Sequence, residues 1–144
     1  MLIHETQLRV QYYETDQMGV VHHSNYIRYF EIGRTELMRH IGLSYKDVED
    51  LGTAMPITGV EVRYFFPAHY DELITVKSFI KETPKARMVF HYEIYNEQRK
   101  LLADGSTTLA FLNKETGRPQ RPPETLMKAL EGKITASPES YQPS

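Results

Sequence analysis

The chain has 144 residues, 40% of them hydrophobic and 25% charged, a size and composition that fit one globular domain with its own core. Lys and Arg number 17 and Asp and Glu number 19, so the net charge of -2 gives no general attraction to nucleic acid or to anionic membranes. Cysteine is absent, which excludes disulfides, a thiolate nucleophile and cysteine-ligated zinc, and is compatible with a reducing cytosol.

The composition also bears on location. The first residues lack the basic start and apolar run of a signal peptide. Nowhere does the chain approach about 18 uninterrupted apolar residues, so no transmembrane helix is predicted. We therefore expect a cytoplasmic protein that neither inserts into a membrane nor binds nucleic acid.

The first predicted element is a strand, because Leu8, Val10 and Tyr12 alternate with the residues between them in a period of two. Residues 14–23 break this alternation and contain Gly19, which predicts a loop. The loop is rich in polar groups, and it runs directly into an apolar segment with a different period.

That segment is a predicted long helix. Ser24 or Asn25 is a suitable N-cap, and Gly42 is a suitable end. Gly33 costs about 1 kcal/mol relative to alanine inside a helix, and its place on the apolar face predicts close contact with a sheet. The apolar positions recur at helical spacing: they are Tyr26, Phe30, Gly33, Leu37 and Ile41.

The second half of the chain predicts mainly strands. A short helix from Ser44 to near Gly52 comes first. A terminal helix opens at Pro122, and residues 133–144 predict a loose tail behind a single domain of residues 1–132. Between the two helices, four segments are rich in β-branched and aromatic residues and are separated by turn-like stretches: they are 57–66, 73–80, 88–95 and 101–112.

This order predicts an α+β fold. Consecutive strands on short links favour an antiparallel meander. One long helix can cover only one face of such a sheet, so the second face must be polar or must meet a partner.

The loop before the long helix is the candidate active site. Asp16 can place a carboxylate near the exposed N–H groups of the first helical turn, whose dipole favours negative charge. An aspartate in this position is also an ordinary turn or cap residue. His22 and His23 suggest a metal pair, but no third ligand stands at a typical spacing, so no metal site is predicted. Ser24 lacks the Gly-x-Ser-x-Gly setting of a serine nucleophile.

Several motifs together carry a family resemblance. They are residues 13–16, 19–21, 23–26, 29–31 and 34–36, and further on Tyr64, 67–68 and 71–73. Over residues 8–118 the chain resembles the hotdog-fold acyl-CoA thioesterases of the 4-hydroxybenzoyl-CoA thioesterase family, and within it the short-chain branch associated with the Tol-Pal system. The resemblance implies a five-stranded antiparallel sheet wrapped around a long central helix. It also implies homodimers joined through their sheets, often paired into homotetramers, with active sites at the dimer interface.

The resemblance implies hydrolysis of an acyl-CoA to free acid and coenzyme A, with no cofactor beyond the substrate. Asp16 would act as nucleophile or as general base. The N–H of His23 would stabilise the oxyanion, with Ser24 beside it, and the His23 imidazole is a second candidate acid or base. Gly19 would let the backbone pass close to the acyl group. Tyr26 would form part of the pocket wall.

Two further expectations concern charged residues. Lys85 and Arg87 are candidates for binding the coenzyme A phosphates, although a solvated turn explains them equally well. Glu31 and Arg34, spaced i and i+3, predict a structural ion pair on the helix.

Two alternative functions stay open beside the acyl-CoA thioesterase. An acyl-ACP thioesterase would depend little on the nucleotide of coenzyme A. A non-catalytic acyl-CoA-binding protein would bind without hydrolysis.

Overall fold

A computed structural model describes residues 1–134 of the chain. The predicted loose tail, residues 133–144, therefore lies almost wholly outside the described residues.

The described chain forms one five-stranded sheet, one two-stranded sheet and three helices. The large sheet has the strand order β1-β4-β5-β6-β3, and each neighbouring pair is antiparallel. The small sheet pairs β2 with β7. The elements are β1 Leu2–Arg9, a 3-10 turn at Tyr12–Glu14, α1 Asn25–His40, α2 Tyr45–Asp50, β2 Thr53–Ala54, β3 Ile57–Tyr64, β4 Leu73–Ile80, β5 Arg87–Tyr95, β6 Leu101–Ala110, β7 Leu112–Asn113 and α3 Glu124–Leu130.

Helix α1 begins and ends as predicted. It follows Ser24, whose side chain makes no capping hydrogen bond, and it stops before Gly42, which has a φ of +85° that favours glycine. The buried face of α1 packs against strands of the large sheet. A Cβ built on Gly33 would lie 2.7 Å from Val76 Cγ1 and closer still to Ser78 Oγ. The predicted close contact between Gly33 and a sheet is confirmed.

The predicted meander is wrong in one respect. Strands β4, β5 and β6 do follow one another, but β3 pairs with β6 at the far edge and β4 pairs with β1. The link of residues 65–72 runs from β3 at one edge to β4 beside the other edge. Backbone bonds join it to the segment before α1, from Val21 N–H to Ala68 O at 2.8 Å and from Val10 N–H to Glu72 O at 2.9 Å. These long-range bonds bring β4 to β1.

The first strand lies earlier than predicted. It spans Leu2–Arg9, and Tyr12 belongs to the 3-10 turn, where it is 72% exposed. The turn is closed by Glu14 N–H, which donates to Gln11 O at 3.0 Å, and by Gln11 N–H, which donates to Glu14 Oε1 at 2.7 Å. Of the alternating residues, Val10 is buried at 1% exposure.

The predicted ion pair between Glu31 and Arg34 is absent among the described residues. Arg34 is instead buried, and its Nη1 donates to the Tyr92 hydroxyl at 3.2 Å. Tyr92 in turn shares a 2.6 Å hydrogen bond with Thr107 Oγ1. Burial raises the pKa of the Tyr92 phenol, so the hydroxyl stays protonated within this network.

The sheet face turned away from α1 is polar. One row of charged residues crosses all five strands in register, namely Glu5, Lys77, Glu93, Asp104 and Arg63. Within the row Lys77 pairs with Glu93 at 3.1 Å, and Arg63 pairs with Asp104 at 2.7 Å. These pairs let the face meet water, so it needs no apolar cover.

Replacing Gly33 with alanine tests the helix–sheet contact. The added methyl group would collide with Val76 and Ser78, and overpacking of this kind costs about 1–3 kcal/mol. That cost exceeds the roughly 1 kcal/mol that alanine gains inside a helix, so Gly33→Ala should lower the unfolding free energy in a urea titration. Gly59→Ala is the matched control, because its Cβ would meet Thr108 only at 3.8 Å. A stabilised Gly33→Ala protein would contradict the close contact.

His4 makes the stability depend on pH. Its ring stacks on His40 at 4.6 Å, and burial, together with His40, lowers its pKa below 6.5, against smaller opposing effects of Glu36 and Glu5. The unfolded chain therefore binds the proton first, and stability falls as the pH drops below 6.5 toward the folded pKa. Between about pH 7.5 and pH 5.5, the melting temperature should fall less in His4→Gln than in the wild type. Equal falls would refute this assignment.

Candidate active site

The loop that precedes α1 is a tight hairpin. Thr15 and Val21 form an isolated antiparallel bridge, and Asp16 N–H donates to Val20 O at 2.8 Å. Gly19 supplies the reversal with a φ of +79°, and no atom lies within 4 Å of the position its Cβ would take. Gly19 is thus required for the backbone conformation of this hairpin.

Asp16 has one engaged and one free carboxylate oxygen. Its Oδ1 accepts from Met18 N–H at 2.8 Å and from Val20 N–H at 3.4 Å, the pattern of an Asx turn. Its Oδ2 accepts no hydrogen bond from any of residues 1–134, and the side chain is exposed. Asp16 is therefore a turn residue and still presents an oxygen for chemistry.

Asp16 opens into a cleft of about 320 Å³ with largely aromatic walls. Tyr26 rises into this cleft from α1, and its buried hydroxyl accepts from Ala68 N–H at 3.3 Å. Burial raises the pKa of the Tyr26 phenol, so it stays neutral. The lining residues are Asp16, Val21, His22, His23, Tyr26, Tyr64, Phe65, Phe66 and Pro67.

His23 presents an unused backbone donor at this cleft. Its N–H has no acceptor among residues 1–134, whereas its carbonyl accepts from the Tyr64 hydroxyl at 3.0 Å and from Tyr26 N–H at 3.3 Å. The His23 ring lies 4.1 Å from the His22 ring and edge-on to Tyr64. A free N–H beside a helix start is suited to stabilising negative charge.

Ser24 is oriented differently. Its hydroxyl bonds His22 Nδ1 at 2.8 Å, and its N–H donates to the same nitrogen at 3.3 Å. The residue lines a separate cleft of about 380 Å³ along α1, together with Arg28, Glu31 and other residues. The structure thus brings Asp16, His23 and Tyr26 together and leaves Ser24 on the neighbouring helix face.

Lys85 and Arg87 lie far from Asp16 within one chain. Arg87 stands at the start of β5, where its Nη1 donates to Thr58 Oγ1 at 2.9 Å, whereas the aromatic cleft begins at Tyr64, at the other end of β3. Tyr64 lies six residue steps along the strand from Thr58, which at about 3.4 Å per step is roughly 20 Å. Lys85 and Arg87 line a cleft of about 400 Å³ of their own.

Glu14 is a buried residue of the loop that carries the site, and it was not among the predicted site residues. It is only 3% exposed, and its carboxylate pairs with Arg28 while Oε1 accepts from the Tyr29 hydroxyl at 3.0 Å. These partners stand 14 and 15 residues further along the chain, so no local pattern shows them. The one available local signal was an acid directly after two tyrosines, Tyr12 and Tyr13, two positions before Asp16.

Comparison with known proteins identifies the family, because the thioesterase-like superfamily matches the chain over residues 10–130. This chain belongs to that superfamily. The crystal structure of a DHNA-CoA thioesterase from Staphylococcus aureus matches this thioesterase with a TM-score of 0.85 and 34% identity, covering 90% of this chain and 89% of that one. A Bacillus subtilis protein with the provisional name of acyl-CoA thioesterase is 34% identical over 119 residues, 83% of this chain and 86% of its own. The acyl-CoA thioester hydrolase YbgC of Escherichia coli O157:H7 is 27% identical over 120 residues, 83% and 90% of the two chains.

These likenesses confirm two predictions from the sequence. The fold of this thioesterase is the hotdog fold, an α+β structure with five antiparallel strands and a central helix. The protein is an enzyme, a thioesterase. The individual roles assigned to Asp16, Gly19, His23 and Ser24 stay predictions, as does the placement in the Tol-Pal branch.

Residues 1–134 contain no group of three or more His, Asp or Glu side chains placed to hold a metal ion. None of the helices in the same range is long and apolar enough to span a membrane.

Proposed function

We propose that this protein hydrolyses the thioester bond of an acyl-CoA and releases a free acid and coenzyme A. The observation that carries the proposal is that one aromatic cleft is lined by both Asp16, whose Oδ2 is free, and His23, whose N–H is free. The names of the S. aureus structure and of the B. subtilis and E. coli relatives support the same reaction and the same substrate class.

The Asp16 carboxylate starts the reaction by one of two routes. As a nucleophile, Oδ2 attacks the thioester carbon, the C–S bond breaks, the thiolate takes a proton, and water hydrolyses the acyl-aspartate anhydride. As a general base, it takes a proton from the water that attacks the same carbon, and the departing thiolate takes a proton. In both routes the carbonyl oxygen becomes negative, and the His23 N–H at the start of α1 stabilises it.

The distance between Asp16 and Arg87 points to a site shared by two copies of the chain. Strand β3 is an edge of the sheet, and its side chains are almost all exposed, among them Val60 at 39% and Tyr64 at 49%. An unpaired edge of this kind is a template for another strand. We propose that β3 pairs antiparallel with β3 of a second copy about a two-fold axis.

The register of this pairing brings the two sets of site residues together. If the axis passes through Glu61, so that Glu61 lies opposite Glu61 of the partner subunit, Thr58 lies opposite Tyr64 of the partner subunit. Arg87, which binds Thr58, then stands beside the cleft of the other copy. We infer that Lys85 and Arg87 of one subunit bind the phosphates of a coenzyme A whose thioester lies in the partner's cleft. This arrangement requires at least a homodimer.

Three finer assignments stay predictions from the sequence. They are the homotetramer, the cytoplasmic location and the association with the Tol-Pal system. The proposal needs none of them, because the dimer alone completes two active sites.

Replacing Asp16 with asparagine tests the reaction. The amide oxygen can still accept from Met18 N–H and Val20 N–H, so the turn should persist, but the charge that attacks carbon or activates water is lost. We expect kcat to fall at least about 100-fold, measured by thiol release over short-chain, medium-chain and aromatic acyl-CoA substrates.

Asp50→Asn is the matched control, because Asp50 is exposed at the end of α2. It should retain wild-type kcat, and circular dichroism should show all three proteins folded. Undiminished turnover by Asp16→Asn would refute the proposed mechanism. Tight acyl-CoA binding by a wild type that does not hydrolyse it would favour the binding-protein alternative.

Arg87→Gln tests the place of the coenzyme A phosphates. Loss of one charge-assisted contact should raise KM for an acyl-CoA about tenfold and leave KM unchanged for the matching acyl-pantetheine, which lacks the nucleotide. Lys128→Gln is the control, because Lys128 is exposed and pairs only locally with Glu124. Equal effects of Arg87→Gln on both substrates would contradict the assignment. A wild type that prefers acyl-ACP would favour the carrier-protein alternative.

A further inference from the structure

Glu14 is a buried carboxylate whose hydrogen-bonding capacity is used by the protein. Its Oε1 accepts from Gln11 N–H at 2.7 Å and from the Tyr29 hydroxyl at 3.0 Å, and its Oε2 forms an ion pair with Arg28. A buried charge is tolerated only with such partners, since desolvation is costly. With both oxygens engaged, Glu14 has none left for substrate.

The backbone of Glu14 makes a second set of contacts. Its carbonyl accepts from His22 N–H and from Asn25 Nδ2, both at 2.9 Å. His22 precedes the residue with the free N–H, and Asn25 is the first residue of α1. Glu14 itself stands two residues before Asp16. One residue therefore joins the two arms of the loop that carry the carboxylate and the N–H.

The side-chain contacts fix the same residue to the helix. Arg28 and Tyr29 lie on the first turns of α1, and burial raises the pKa of the Tyr29 phenol, so this hydroxyl remains a donor. The Arg28 guanidinium also lies over the Tyr13 ring at 5.5 Å. Movement of Glu14 would thus displace Asp16 relative to α1, and with it relative to the His23 N–H.

We infer that Glu14 is a positioning residue for thioester hydrolysis, which holds Asp16 and the His23 N–H in a fixed mutual geometry. The inference rests on the proposed function. Small displacements of reacting groups lower the reaction rate steeply, by about 100-fold for about 1 Å. Loss of these Glu14 contacts should therefore lower kcat, while the groups proposed to bind coenzyme A stay in place.

Two variants remove different contacts of the Glu14 carboxylate. Glu14→Gln removes the charge that pairs with Arg28, and Tyr29→Phe removes one donor to Oε1. We expect each to lower kcat about 10- to 100-fold with KM within about twofold of wild type, measured by thiol release from one acyl-CoA well below the melting temperature. Tyr29→Phe keeps the test decisive if Glu14→Gln fails to fold.

Tyr92→Phe is the matched control for a purely structural role. Tyr92 is as buried as Tyr29, at 1% against 0% exposure, and its hydroxyl also serves a buried charged residue, Arg34. This variant should lose melting temperature as Tyr29→Phe does, yet keep wild-type kcat and KM. An equal loss of kcat in Tyr92→Phe would overturn the inference, because the effect would then follow stability alone.

The remaining outcomes separate this inference from the proposed function. Wild-type kcat in folded Glu14→Gln and Tyr29→Phe, together with a large loss in Asp16→Asn, would overturn the positioning role and leave the reaction standing. A wild type without thioester hydrolysis would overturn both.

Discussion

The close packing of α1 against the sheet is the constraint on which the rest of the structure depends. At Gly33 the helix backbone meets Val76 and Ser78 of β4 with no room for a methyl group. At Gly105 the ring of Phe30 would lie 2.8 Å from an added Cβ. These two contacts fix the height and direction of the helix over the sheet. Its N-terminus is thereby held at the end of β3, where the aromatic cleft opens, so the fold itself delivers the His23 N–H to the site.

At Asp16, the observed structural role and the proposed chemical role are compatible because they use different atoms. One oxygen closes the turn by accepting from Met18 and Val20, and the other is open to the cleft. The hydrogen bonds to Oδ1 also fix the direction of the carboxylate, so the turn pre-orients Oδ2. Being a turn residue is therefore no argument against the proposed reactive role of Asp16, and the contacts of Glu14 connect this turn to α1.

Local patterns predicted the parts of the structure that local forces determine. The period of the apolar residues placed α1, and Gly33 predicted the contact with a sheet. The strand order could not be predicted in the same way, because it follows from bonds such as Val21 N–H to Ala68 O across 47 residues. The same distinction holds for the candidate site. Asp16 and His23 stand in one short motif and were predicted, whereas the partners of Glu14 lie on another element. The separation of Arg87 from Asp16 is set by strand order, and no spacing in the sequence reveals it.

The outer face of the sheet and its β3 edge differ in physical chemistry as contact surfaces for a second copy. On the outer face the charged row is largely neutralised by its own pairs, so covering it would remove solvated ions from water for little gain. Along β3, by contrast, backbone N–H and C=O groups face outward beside apolar side chains, and pairing with another strand satisfies both. These differences favour the β3 edge as the interface of the dimer that we propose. In that dimer the same contact places Arg87 of one subunit beside the partner's cleft, so it pairs the open strand and completes the proposed site.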